Sequence, residues 1–133
     1  MTRPAGRGQR KPAASNAYLR GIYEETRPWG KFRRYPHERA GSIKVITVNP
    51  GGALSLQYHS RRAEFWVVLD PGFEVTVGGK AWETSPGEEL VIPAGTPHRL
   101  RNLSDKPARV MEIWLGRSSE SDITRLKDDY GRK

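Results

Sequence analysis

Apolar and polar residues alternate through most of the chain. In Ser42–Val48, Ile43, Val45 and Thr47 fall on one side and Lys44, Ile46 and Val48 on the other, the period of an extended strand with both faces partly buried. Residues 53–59 alternate as well, with Leu54, Leu56 and Tyr58 on one face and Ser55, Gln57 and His59 on the other. That second face is polar throughout, an oddity in so short a chain. Further strands are predicted over residues 31–35, 63–69, 73–77, 81–84, 89–92, 98–101 and 108–115. Turn chemistry punctuates them: Arg27-Pro28-Trp29-Gly30, Asn49-Pro50-Gly51-Gly52, Asp70-Pro71-Gly72, Gly78-Gly79-Lys80, Ser85-Pro86-Gly87 and Pro93-Ala94-Gly95. Many short, evenly spaced strands predict an all-β fold, a small antiparallel barrel or double-sheet jelly roll. Only residues 120–130 carry a helical period, with Ile123, Leu126 and Tyr130 at i, i+3 and i+7, so a short C-terminal helical segment is expected to pack on the barrel.

At 133 residues the chain has the length of one domain. The absence of cysteine excludes disulfides and thiolate metal sites, leaving His, carboxylate and amide oxygen as donors for any transition metal. The formal charge is +8, and residues 1–20 supply five of those charges through Arg3, Arg7, Arg10, Lys11 and Arg20, with no acid among them. This predicts a flexible basic tail over 1–20 and a folded domain over 21–133. No apolar run approaches the ~20 residues of a membrane-spanning helix, and the basic N-terminus lacks an apolar h-region. A cytoplasmic protein without membrane contact is expected. Nucleic acid is not expected as a partner, because beyond the tail there is neither a helix-turn-helix pattern nor an aromatic RNA platform. A small anionic ligand suits the remaining positive charge.

Gln57 and His59 lie two apart and project from one strand face, and Glu64 opens the next strand after a short turn. His98 follows the Pro93-Ala94-Gly95-Thr96-Pro97 turn directly. Two imidazoles, a carboxylate and an amide carbonyl suit a divalent first-row metal with positions left for water or substrate. The same two histidines are also what ordinary buried imidazoles bonded to backbone would look like.

At these residues the sequence resembles the cupins. Gly51, five residues, Gln57-Tyr58-His59, four residues and Glu64 follow the first cupin motif, with glutamine at its first histidine position. Gly87, five residues, Pro93-Ala94-Gly95, two residues, His98, three residues and Asn102 follow the second. Within cupins the sequence is most similar to the type II phosphomannose isomerase domain, usually fused behind a mannose-1-phosphate guanylyltransferase domain. The likeness runs through Arg27-Pro28-Trp29-Gly30, Lys44, Leu54 to His59, Arg62-Ala63-Glu64-Phe65-Trp66, Ile92 to Leu100 and Asp122 to Arg132. It departs from that group's pattern at Ser60, Arg61, Phe65 and Asp70-Pro71-Gly72-Phe73.

The resemblance implies a cupin double-stranded β-helix and a stand-alone, metal-dependent isomerase that interconverts mannose 6-phosphate and fructose 6-phosphate through an enediol. It implies a divalent metal ion, among which Zn, Mn, Co, Ni and Fe are not distinguished, held by Gln57, His59, Glu64 and His98. It puts Lys44 and Arg125 on the sugar phosphate. Arg62, two residues before Glu64 on the same strand face, is the candidate catalytic cation; an ion pair with a neighbouring carboxylate is the competing role. The proton-transferring base is not identified, Asp128 being no more than a guess. No Gly-rich nucleotidyl motif fits the first 26 residues, so nucleotide-sugar synthesis is expected to lie outside this chain. A regulatory sugar-binding cupin and a metal-dependent cupin oxidoreductase are the other functions in play, since fold alone does not choose among them. Exposed barrel edges make a homodimer the expected assembly.

Overall fold

The computed structural model describes residues 20–37 and 41–133. The expected tail, residues 1–20, lies outside them apart from Arg20. Among the described residues, eleven strands form two antiparallel sheets that face one another across the core. The larger sheet has the order β1 (Tyr23–Arg27), β2 (Gly30–Tyr35), β3 (Ser42–Val48), β10 (Ala108–Leu115), β5 (Ala63–Val68) and β8 (Glu89–Ile92). The smaller has the order β11 (Thr124–Lys127), β4 (Leu56–Tyr58), β9 (His98–Asn102), β6 (Phe73–Val77) and β7 (Lys80–Glu83). This is the jelly-roll barrel that the alternation and turn spacing imply. Among the described residues no helix is long and apolar enough to cross a membrane.

The core follows from the inward phase of three long central strands. Lys44, Ile46 and Val48 of β3, Glu64, Trp66 and Val68 of β5, and Ala108, Val110, Glu112 and Trp114 of β10 are all buried. Register sets the rows side by side: Val48 is opposite Ala108, Ile46 opposite Val110 and Lys44 opposite Glu112, while Val110 pairs with Val68 and Glu112 with Trp66. Each row therefore begins apolar and turns charged further along: Lys44 and Glu112 share one rung, and Glu64 lies on the next, opposite Trp114. Phe73, Val75 and Leu100 of the second sheet close the apolar half, all fully buried.

Two elements differ from the sequence reading. Residues 23–27 form β1, which has no clear alternation and pairs with β2 through a two-residue turn at Pro28-Trp29. Residues 120–130 contain no helix: Thr124–Lys127 is an edge strand on β4. The free edge of the three-residue β4 offers unpaired backbone groups, and a strand satisfies them where a short helix would not. Asp122 fixes the entry to this strand by accepting the Ser60 and Arg61 amides at 2.9 Å each. Leu126 is left 50 % exposed, which shows how little its helical spacing decided.

Gly30 pairs with both Arg27 and Val48 and has φ +149°. A Cβ there would meet the Thr47 carbonyl oxygen at 2.0 Å. Gly30→Ala is expected to lower the unfolding free energy by about 3 kcal/mol, read from denaturant melts, because backbone must move on a central strand. A loss below about 1 kcal/mol would mean that the hairpin shifts freely.

Candidate metal and anion site

The charged end of the barrel surrounds a cavity of about 80 Å³ whose walls include Lys44, Ser55, Gln57, His59, Arg62, Glu112, Glu120 and Arg125. The polar face of residues 53–59 thus points inward, which accounts for the oddity of that segment. Gln57 lies beside His98 in the β4–β9 register, and Arg125 lies opposite Gln57 across β11.

His59, Glu64 and His98 converge, with ligand-type atoms all within 4.8 Å of one another. His59 Nε2 is 3.3 Å from one Glu64 oxygen and His98 Nε2 is 3.6 Å from the other. In both rings Nδ1 lies against a backbone carbonyl, that of Asp122 at 2.7 Å and that of Thr96 at 2.9 Å. A carbonyl can only accept, so Nδ1 carries the proton in each neutral ring and Nε2 presents its lone pair toward Glu64. His98 Nε2 is buried with no hydrogen-bond partner. Two lone pairs and a carboxylate facing one point, one of them orphaned, fit a divalent cation and fit a purely structural hydrogen-bond network poorly. Gln57 lines the same cavity, and its Oε1 accepts the Ser55 hydroxyl at 2.7 Å.

Arg62 is nearly fully engaged. Its Nε donates to Glu64 at 2.8 Å, Nη1 to the Ser118 hydroxyl and the Ser119 carbonyl at 3.0 Å each, and Nη2 lies 3.2 Å from His59 Nε2. Its guanidinium lies 3.6 Å from the Trp114 ring centroid, a stacked cation platform. Trp66 Nε1 donates to the other Glu64 oxygen at 3.1 Å. Lys44 is buried over Phe32 and Trp114, with Nζ 2.5 Å from Glu120 and 3.8 Å from Glu112. Arg125 Nη1 donates to the Lys133 carbonyl at 2.6 Å, while its Nε is buried without a partner. Asp128 is tied up in a bidentate pair with Arg132 and does not line the cavity.

Glu112 and Glu120 went unremarked in the sequence. Glu112 carried a readable signal: it is the one acid on the inward row Ala108, Val110, Glu112, Trp114, the same anomaly as Lys44 and Glu64 on their rows. Glu120 sits on an irregular loop, where no period marks it.

The charges are arranged unevenly. Burial, then Arg62, pulls His59 down from 6.5 to about 4, and burial lowers His98 as well. Burial, then Glu64, pushes Glu112 up from 4.5 to about 7. Hydrogen bonds led by the Ser60 amide hold Asp122 at about 2.

The fold, together with paired imidazoles and a glutamate inside it, defines a cupin. Solved structures agree in fold: an oxalate decarboxylase from Lactobacillus farciminis superposes with a TM-score of 0.69 at 19% identity, covering 81% of this chain and 34% of that one. The capsular polysaccharide assembling protein CapF from Staphylococcus aureus gives 0.66 at 19% identity, covering 80% and 34%. The family model described as mannose-6-phosphate isomerase C-terminal matches residues 16–128, and the chain belongs to that family. A mannose-1-phosphate guanylyltransferase of Escherichia coli is 43% identical over 107 residues, 80% of this chain and 23% of its own length. The alginate biosynthesis protein AlgA of Pseudomonas aeruginosa is 38% identical over 110 residues, 82% of this chain and 23% of its own.

The chain therefore spans about a quarter of the curated relatives it matches. This corrects the expectation of a stand-alone isomerase for mannose 6-phosphate and fructose 6-phosphate: the relatives are named for guanylyl transfer to mannose 1-phosphate or for polysaccharide synthesis, and what they share with this chain is a cupin domain. The chain is related to an enzyme family of mannose-phosphate metabolism.

The buried titrating groups oppose one another. Between pH 4.5 and 6.5 the unfolded chain protonates His59 and the folded chain does not, so stability is lost as pH falls, by up to about 1.4 kcal/mol per pH unit. Glu112 works in reverse over the same window: the folded chain keeps a proton that the unfolded chain has released, so stability is lost as pH rises. In metal-free protein, Glu112→Gln should remove that offset and steepen the rise of unfolding free energy with pH by up to about 1.4 kcal/mol per unit. Denaturant melts at several pH values between 4.5 and 6.5 measure it, and equal slopes in the two proteins would reject a raised Glu112.

Proposed function

We propose that this chain is a metal-holding cupin domain, residues 21–133, that binds a phosphorylated mannose. One observation carries this reading: His59, a member of the His59, Glu64 and His98 cluster, lines the same cavity as Gln57 and the cations Lys44 and Arg125. In this reading His59, Glu64 and His98 hold a divalent ion, with Gln57 as a further oxygen donor. Such an ion supplies Lewis-acid contact to sugar oxygens. Arg62 positions Glu64 and keeps positive charge beside the ring oxygens, while Lys44 and Arg125 take the phosphate. Trp66 and the backbone carbonyls of Thr96 and Asp122 orient the ligating side chains. Mannose phosphates are the ligand class that the names of the relatives support. Their binding is assigned to the cytoplasm, where sugar phosphates are made and retained.

Dialysis against Mn²⁺, Co²⁺ or Zn²⁺ followed by metal analysis should give about one ion per chain, with affinity at least ~100-fold weaker in His59→Ala and His98→Ala. Titration calorimetry with mannose 1-phosphate and mannose 6-phosphate should show binding that weakens after chelation. Unchanged metal content in both variants removes the metal from the reading, and no heat with either sugar phosphate removes the ligand.

A further inference from the structure

Lys44 and Arg34 enter the same small region from adjacent strands, opposite one another in the β2–β3 register. Their side chains are 7 % and 14 % exposed, an unusual degree of burial for two cations side by side. The anion that meets them is Glu120, from the loop between β10 and β11, whose side chain is 51 % exposed. Both cations bond the same carboxylate oxygen, Oε1: Lys44 Nζ at 2.5 Å, and Arg34 Nη2 in a short contact. Arg34 Nε is buried with no hydrogen-bond partner among the described residues. Two positive groups thus share one acceptor oxygen, and a third donor has none.

The loop around Glu120 is anchored on both sides of it. Ser118 bonds Arg62 and Asp122, the Ser119 carbonyl accepts Arg62, and Asp122 holds the Ser60 and Arg61 amides. Glu120 itself bonds only to the two cations among the described residues, so its side chain can leave them while the anchors stay. The cavity beneath is about 80 Å³, against the ~300 Å³ or more of ordinary ligand pockets. A ligand the size of a hexose phosphate needs more room than this, and Glu120 is a half-exposed part of the cavity wall.

We infer that Glu120 is a tethered stand-in anion: its carboxylate fills the place where Lys44 and Arg34 receive a phosphomonoester, and the ligand enters by exchanging with it. This rests on the assignment of Lys44 to the phosphate in the proposed function and adds Arg34 and an exchange step to it. A phosphomonoester dianion matches the two cations in charge and offers three oxygens, one for each group crowded on Oε1 and one for Arg34 Nε. Glu120 supplies a single negative charge and one used oxygen. Without a ligand it gives Arg34 a carboxylate partner and Lys44 a closer one than Glu112, which is 3.8 Å away.

The test is titration calorimetry of the full chain, metal-loaded, with inorganic phosphate, with mannose 6-phosphate and with unphosphorylated mannose. Glu120→Gln removes the competing charge at constant size and should tighten both phosphate ligands about five- to tenfold while leaving mannose unchanged. Glu120→Asp, shorter by one methylene, should tighten them by less, and melting curves of both variants check the fold. Lys44→Met should weaken phosphate at least about tenfold. If wild type binds mannose 6-phosphate and Glu120→Gln and Glu120→Asp bind it equally well or more weakly, the exchange is overturned while the sugar-phosphate reading stands. If neither wild type nor Glu120→Gln binds phosphate or mannose 6-phosphate, the reading beneath it falls and takes the exchange with it.

Discussion

A glutamate with 1 % of its surface exposed sets the terms for the rest of the molecule. A buried carboxylate is tolerated only when its oxygens are bonded and its charge is met. Glu64 is met by Arg62 on one oxygen and by the Trp66 indole on the other, and those partners have requirements in turn. Arg62 is buried as well, so it needs the Trp114 face beneath it and the Ser118 and Ser119 oxygens beyond it. Those serines come from the loop after β10, so one interior charge binds the end of β10 to the start of β5. The two imidazoles then face Glu64 with lone pairs; Arg62 Nη2 lies 3.2 Å from that of His59, and among the described residues nothing donates to that of His98. A cation held there completes an arrangement that is otherwise negative and acceptor-rich at its centre and positive around it.

The barrel can carry so much charge inside because it separates it from the core. Val48, Val68, Ala108 and Val110 occupy one end of the inward rows and Lys44, Glu64 and Glu112 the other. Hydrophobic burial at the apolar end supplies the stabilisation, at roughly 25 cal/mol per Å² of apolar surface, and leaves the charged end free to be arranged for binding. Glu112 marks the boundary. It has Trp114 donating to it and Lys44 across the strand pair, yet burial raises it to about 7. A carboxyl poised there changes charge near neutrality inside the cavity.

What could be read from the sequence follows the same division. The central strands were legible because their period of two is enforced by burial, and the convergence of His59, Glu64 and His98 because polar residues stand at motif spacing on those strands. β1 was illegible because it lies at a sheet edge, where Tyr23, Glu24 and Thr26 are exposed and no alternation is needed. The residues around Glu120 were illegible because a loop has no period. The spacing of Ile123, Leu126 and Tyr130 is compatible with a helix, but the unpaired edge of β4 decided the matter, and that edge is a property of the folded sheet. Arg62 shows the limit in another way. Its proximity to Glu64 was readable from their separation by two, whereas the Trp114 platform and the serine contacts depend on strands far apart in the chain.

The C-terminal segment changes meaning once it is a strand. A helix packed on the outside would be an ornament of the barrel, removable without loss to the interior. As β11 and its approach loop, it supplies the Asp122 carbonyl that fixes the His59 tautomer and the oxygens that hold Arg62. It also supplies the carboxylate on Lys44, and it places Ile123, Arg125 and Arg132 on the cavity wall. Each of these acts on a residue from the first two-thirds of the fold. The tautomer of His59 is thus set by a backbone oxygen sixty-three residues further along the chain, so the orientation of this imidazole depends on the docking of one short edge strand. An edge strand four residues long is among the least stable elements of a sheet, which makes this segment the natural place for a ligand to alter the site without disturbing the core.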